Sequence, residues 1–168
     1  MDSILVVCYS YTGVSRRAAQ LLCSLHDWPL AEIRDSAPRG IWRCVLDSVL
    51  RRQPEIVYDG PPPIDYRTVV LVAPIWVGRI AGPMRTFVAR YAHQLPRVAV
   101  VATMSGSGAE KAFGEVTRRI GHAPFACAGF RQKELEDGSG STRLLAFGDS
   151  LVTVPPAQRY SALQASAA

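Results

Sequence analysis

An α/β fold, a parallel sheet covered by helices on both faces, is what this sequence predicts, and three observations predict it. Thr68 to Ala73 and Val98 to Thr103 are continuously apolar with no alternation, the pattern of strands buried on both sides. Segments with apolar residues at helical spacing separate such runs, so that five strands alternate with helices. The loops that follow three of the apolar runs are rich in hydroxyls, Gly or Pro. In open parallel sheets ligands bind beyond the carboxyl ends of the strands.

The chain has 168 residues, enough for one well-cored domain and too few for two. Residues 1–152 are read as that domain and residues 153–168, with Pro-Pro and an Ala/Ser-rich end, as a disordered tail. An apolar fraction of 48% and a charged fraction of 20% fit a soluble globular chain.

Ile4 to Cys8 reads as the first strand, and Val14, Ala18, Leu21, Leu22 and Leu25 as the stripe of the first helix. Trp28 to Ile33 is a short second strand, placed at an edge because Pro29 cannot donate to a ladder. Ile41, Trp42, Val45, Leu46, Val49 and Leu50 form a helical stripe expected to pack on the sheet, with Trp42 in the core. Asp59 to Pro63 reads as a stiff connector to the central strand at Thr68. Gly82-Pro83 opens a helix carrying Met84, Phe87, Val88, Tyr91 and Leu95. After the strand at Val98 comes a helix aligned on Ala109, Ala112, Phe113, Val116 and Ile120. Phe125 to Phe130 is the last strand, and Thr142 to Val152 a closing helix.

The first loop, Ser10-Tyr11-Thr12-Gly13-Val14-Ser15, has hydroxyls at its first, third and sixth residues and a Gly just before a helix start. Unpaired N–H groups and the dipole favour an anion there. Neither a Walker string nor a Gly-x-Gly-x-x-Gly fingerprint is present. The loop resembles the phosphate-binding loop of flavodoxins, Thr/Ser-x-Thr-Gly-x-Thr/Ser, in which hydroxyls and amides wrap the phosphate of flavin mononucleotide (FMN). That resemblance implies a flavodoxin-like three-layer sandwich with strand order 2-1-3-4-5. Ser10, Tyr11, Thr12, Gly13, Val14 and Ser15 are then phosphate-side residues.

The resemblance extends to two more loops. Ala73 to Phe87 is similar to the segment Thr-Pro-x-aromatic or Arg-x-Gly-x6-Arg-x-Phe of flavodoxin-like reductases and short flavodoxin-domain proteins. It implies that Pro74, Ile75, Trp76, Val77, Gly78 and Arg79 border the isoalloxazine ring, with Trp76 either covering a ring face or packed under the loop as core. Thr103, Met104, Ser105, Gly106 and Gly108 belong to a segment resembling the third flavin-contacting loop, whose small residues let amides approach. Many flavodoxins carry a Tyr in this loop and this chain has none, so one ring face is expected to be open. An open face suits a docking nicotinamide or quinone, or a partner chain in a homodimer.

A rival architecture is that of the low-molecular-weight phosphatases and arsenate reductases, with a Cys-x5-Arg cradle after the first strand. Cys8 stands at that strand end, but Val14 lies six residues on and Arg16 is two residues too late. Cys8 is therefore read as structural. The four cysteines form no C-x-x-C pair and no metal-ligand spacing, and are expected to be reduced interior residues of a cytoplasmic protein. The longest apolar run, Val69 to Val77, is interrupted by Pro74 and too short to span a membrane.

The formal net charge of +5 is carried mainly by scattered Arg pairs without a nucleic-acid motif, so nucleic acid is not expected as a partner. His26, His93 and His122 are isolated, and no catalytic acid or base stands out. The cofactor would carry the chemistry. A basic chain with Arg79 in the ring loop would stabilise negative charge on reduced flavin and favour two-electron chemistry. Arg79 facing solvent is the alternative. Three functions are expected in turn. The first is an FMN-binding redox protein serving a partner protein or a small quinone-like acceptor. The second is an NAD(P)H-dependent FMN or quinone reductase. The third is a flavodoxin-fold protein without redox turnover.

Overall fold

The computed structural model describes residues 3–38 and 40–153. The chain runs β1 (Ile4–Tyr9), α1 (Val14–His26), β2 (Leu30–Asp35), α2 (Ile41–Val49) and β3 (Ile56–Asp59). It continues through β4 (Thr68–Trp76), β5 (Arg79–Ile80), α3 (Gly82–Tyr91), β6 (Arg97–Met104) and α4 (Ala109–Ile120), and closes with β7 (Ala126–Arg131), α5 (Gln132–Glu136) and α6 (Ser141–Thr153). The tail expected from residue 153 onward lies, apart from Thr153, outside the described residues.

Five strands pair in parallel in the spatial order β2-β1-β4-β6-β7, the 2-1-3-4-5 arrangement expected. Their registers line up across the sheet: Val6 pairs with Leu30 on one side and Val70 on the other, and Val70 with Ala99. All six residues of β1 are buried, as are the first six of β4, because helices cover both faces. On one face Leu5, Val7, Leu71 and Val100 meet α3 and α4 through Phe87, Val88, Phe113 and Val116. On the other, Val6, Val72, Val101 and Phe130 meet Ala18 and Leu22 of α1 and Leu144 and Leu151 of α6. Leu25, expected in the α1 stripe, is exposed, and the buried line runs through Ser15, Ala18, Ala19 and Leu22 instead.

Two short antiparallel strands widen the expected sheet. Ile56–Asp59, just ahead of the expected connector, pairs with β2 as β3, so β2 is not the edge. Pro29 sits one residue before β2, and its carbonyl accepts from the Val6 N–H at 3.0 Å, which needs no donor from the proline. β5 folds back on the end of β4 through Val77-Gly78, both at positive φ (52° and 68°), a two-residue hairpin turn.

The largest departure is α2. It packs against α3 and β5 rather than across the sheet, and it is turned inside out. Cys44, Asp47 and Ser48 are buried, whereas Ile41, Leu46, Val49 and Leu50 are exposed and Trp42 is 84% exposed rather than core. A buried cation lies at this end of the helix. The Arg85 side chain, 0% exposed, donates to the carbonyls of Asp47 (3.2 Å) and Arg52 (2.9 Å) at the end of α2, and to Glu115 and the Ile80 carbonyl. A buried guanidinium needs these acceptors, and the buried side of α2 is the side that meets it.

Candidate functional site

The carboxyl ends of β1, β4 and β6 open on a cleft of about 240 Å³. Tyr11, Thr12 and Val14 line it from the first loop, Pro74, Ile75 and Trp76 from the second, and Thr103, Met104 and Ser105 from the third. Ile41 from α2 and Gln132 from α5 complete the wall. The sequence gives no sign of these two, since each comes from an element whose placement depends on tertiary contacts. Among the described residues no charged side chain and no histidine lines the cleft, and those walls supply shape, hydroxyls and amides.

The first loop turns into α1 at Gly13, whose φ of 95° is a left-handed conformation that favours glycine. The N-cap residue, Gly13, has no side chain to cap this helix start, and no acidic residue stands in its first turn. The amides at the start of α1 are thus left to an external acceptor, with the positive end of the helix dipole behind them. A Cβ built on Gly13 meets nothing within 4 Å, so the space over the loop is open. Ser10 Oγ accepts from the Gly13 N–H at 3.0 Å and shapes the turn, while Tyr11, Thr12 and Gly13 are exposed.

Ser15 has a different place from the other hydroxyls. It is buried, and its Oγ lies 2.7 Å from Thr103 Oγ1 of the third loop, in a hydrogen bond that ties the two loops together. Arg16, next to it, pairs with Glu32 at 2.8 Å.

Trp76 stands edge-on to Tyr9 and Tyr11, with ring centroids 6.3 and 5.9 Å apart, and remains partly exposed on the cleft wall. T-shaped contacts of this kind hold an indole in one orientation. Tyr9 is itself anchored by its hydroxyl on Asp35 (3.0 Å). Val77, Gly78 and Arg79 form the turn and return of the hairpin and do not line the cleft. Gly106 and Gly108 also lie outside the lining; Gly108 (φ 112°) packs directly on Gly78.

Cys8 is buried below the cleft, and burial above all, with Glu32 nearby, pushes its thiol up to about 12. A protonated, enclosed thiol is no nucleophile. None of the four cysteines is in a disulfide, but Cys127 is exposed rather than interior. Among the described residues no helix is long and apolar enough to cross a membrane, and no group of three or more His, Cys, Asp or Glu side chains stands ready for a metal ion.

No family model and no curated protein matches the sequence. Solved structures do match the fold. A flavoprotein from Lactobacillus acidophilus NCFM, in complex with FMN, aligns with a TM-score of 0.68 at 21% identity, over 83% of this chain and 99% of that one. The WrbA-like flavodoxin from Agrobacterium tumefaciens aligns with a TM-score of 0.57 at 11% identity, over 89% and 94% of the two chains. The two-electron reduced flavodoxin of Megasphaera elsdenii gives 0.53 at 14% identity, over 86% and 96%. The architecture is flavodoxin-like.

Proposed function

We propose that this chain is an FMN-binding redox protein that carries electrons through a non-covalently held flavin. One observation carries the reading: the start of α1, an indole held edge-on by two tyrosines and the Thr103-Met104-Ser105 segment all open on one cleft at the carboxyl edge of the sheet. The donor set suits the two ends of FMN. Amides at a helix start and the hydroxyls of Ser10 and Thr12 match a phosphate dianion. An aromatic wall with backbone amides nearby matches a flat, polar-edged ring. The flavodoxin-like fold of the FMN-bound L. acidophilus protein agrees with this reading.

The residues divide the work. The Gly13 turn and the α1 amides bind the phosphate, and the Ser15–Thr103 hydrogen bond sets the distance between the phosphate loop and the ring-side loop. Trp76 orients the ring, and Ile41 and Met104 exclude water from its apolar edge. The bound flavin would supply electron uptake and release. No residue of the cleft is assigned a proton-transfer role.

A second reading, an NAD(P)H-dependent FMN or quinone reductase, is favoured by the third loop, which lines the cleft with Thr103, Met104 and Ser105 and carries no aromatic residue. An absorption spectrum separates the two. FMN-loaded protein that stays yellow with NADPH and NADH but exchanges electrons with a protein carrier supports the first reading. Bleaching by either nucleotide supports the second. Protein that takes up no FMN contradicts both.

A further inference from the structure

We propose that the outward apolar face of α2, centred on Trp42, is the docking surface for an acidic electron-transfer protein, recognised by apolar contact inside a basic rim. The proposal rests on the flavin reading of the neighbouring cleft. Trp42 is 84% exposed, with Ile41, Leu46 and Val49 exposed on the same short helix and Leu50 exposed at its C-cap. Isolated exposed apolar residues are ordinary, but a whole helical stripe facing solvent marks an interaction site. Arg85 bonds the carbonyls of Asp47 and Arg52 at and just beyond the end of α2, on the side where Cys44, Asp47 and Ser48 are buried, which leaves the apolar side outward.

Position and charge say what this face is for. Ile41, at the first turn of α2, is also a wall of the cleft, and α2 packs on β5, the return strand of the ring-side hairpin. A protein seated on α2 is therefore beside the ring. Arg43, Arg51 and Arg52 are exposed on or just beyond the helix, while its one carboxylate, Asp47, is buried. An apolar centre within a cationic rim is complementary to an apolar patch within an anionic rim. A second copy would set these arginines against their own kind. Residues 154–168 contain Arg159 and no acidic residue, and α6, which leads to them, packs on α1 on the opposite face of the sheet.

The test uses the full chain, isotope-labelled, titrated with an oxidised plant-type two-iron ferredoxin as acidic probe and with cytochrome c as basic probe. Amide shifts confined to residues 41–52 and the 77–79 turn are expected with ferredoxin, with a dissociation constant on the order of 10 µM at low salt. Binding should weaken about tenfold as salt rises to several times the physiological level. Trp42→Glu and the pair Arg43→Glu/Arg51→Glu should each weaken it by about tenfold or more, with melting temperature and FMN affinity unchanged. No ferredoxin binding at low salt, equal binding of cytochrome c, or indifference to these substitutions overturns the proposal. So does a dimer in sedimentation that Trp42→Glu splits, or a change in α2 amide signals on deleting residues 154–168. FMN titration of the same sample reads the flavin site separately, so failure of one reading is not mistaken for failure of the other.

Discussion

Gly108 and Gly78 touch across the two ring-side loops so closely that a Cβ on Gly108 would sit 2.7 Å from the Gly78 Cα. Gly108 caps the start of α4 in a left-handed conformation (φ 112°) and Gly78 closes the Trp76 hairpin (φ 68°), so each is bound to its identity by backbone angle as well as by contact. Gly108→Ala should push the hairpin away from the third loop and weaken FMN binding by about tenfold, with a stability loss of about 1–2 kcal/mol. Gly106→Ala is the control: its Cβ meets nothing within 4 Å, and FMN affinity should change by less than about threefold on the ordinary scale of surface substitutions. Isothermal titration with FMN and thermal melts measure both.

The buried Arg85–Glu115 pair (2.6 Å) links three elements around the hairpin. Glu115 Oε2 also accepts from the Ile80 N–H, and Arg119 approaches the same carboxylate at 3.6 Å. Glu115→Gln leaves the Arg85 cation without its counter-charge and should cost about 3 kcal/mol in urea unfolding. Arg85→Met should cost at least as much, since the carbonyls of Asp47, Arg52 and Ile80 lose their donor as well. The double variant should lose clearly less than the sum of the two.

Ser15 and Ser10, equivalent in a phosphate-loop pattern, should behave differently. Ser15→Ala strips the buried Thr103 hydroxyl of its partner and should lower stability by about 1–2 kcal/mol. Ser10→Ala removes an exposed turn bond and should leave stability within about 0.5 kcal/mol while weakening FMN.

Stability should fall in alkaline solution. The Cys8 thiol is raised from 9.0 to about 12, chiefly by burial, so the folded chain holds this proton more tightly than the unfolded one. The stabilisation is complete below pH 9 and is lost as pH rises toward 12. Cys23, raised to about 11 by burial, and Tyr58, raised to about 12 by burial first, act in the same direction. Cys8→Ala should flatten the slope of the urea midpoint between pH 9 and about 11. Thiol alkylation at pH 8 should mark the exposed Cys127 before the buried Cys8.

The parallel layer was legible because β1, β4 and β6 are buried on both faces, and continuous apolar runs report such burial directly. The three loops were legible because each follows an apolar run at the carboxyl end of a parallel strand, where such sheets place their ligand crevice. β3 was hidden: Ile56 to Asp59 is four residues long, lies among prolines and pairs only with β2. The α2 stripe has the right period, but periodicity does not tell which way a stripe faces. The buried side meets Arg85, more than thirty residues away in sequence. Ser15 was misleading for a similar reason, since its partner is Thr103, 88 positions on.

Titration of FMN into the flavin-free protein, followed by quenching of flavin fluorescence, tests the central claim most directly. One equivalent bound with a dissociation constant of about 1 µM or tighter, weakened by Gly13→Val and by Trp76→Leu, is the predicted result. Full flavin fluorescence at micromolar protein, or binding that ignores both substitutions, would contradict it.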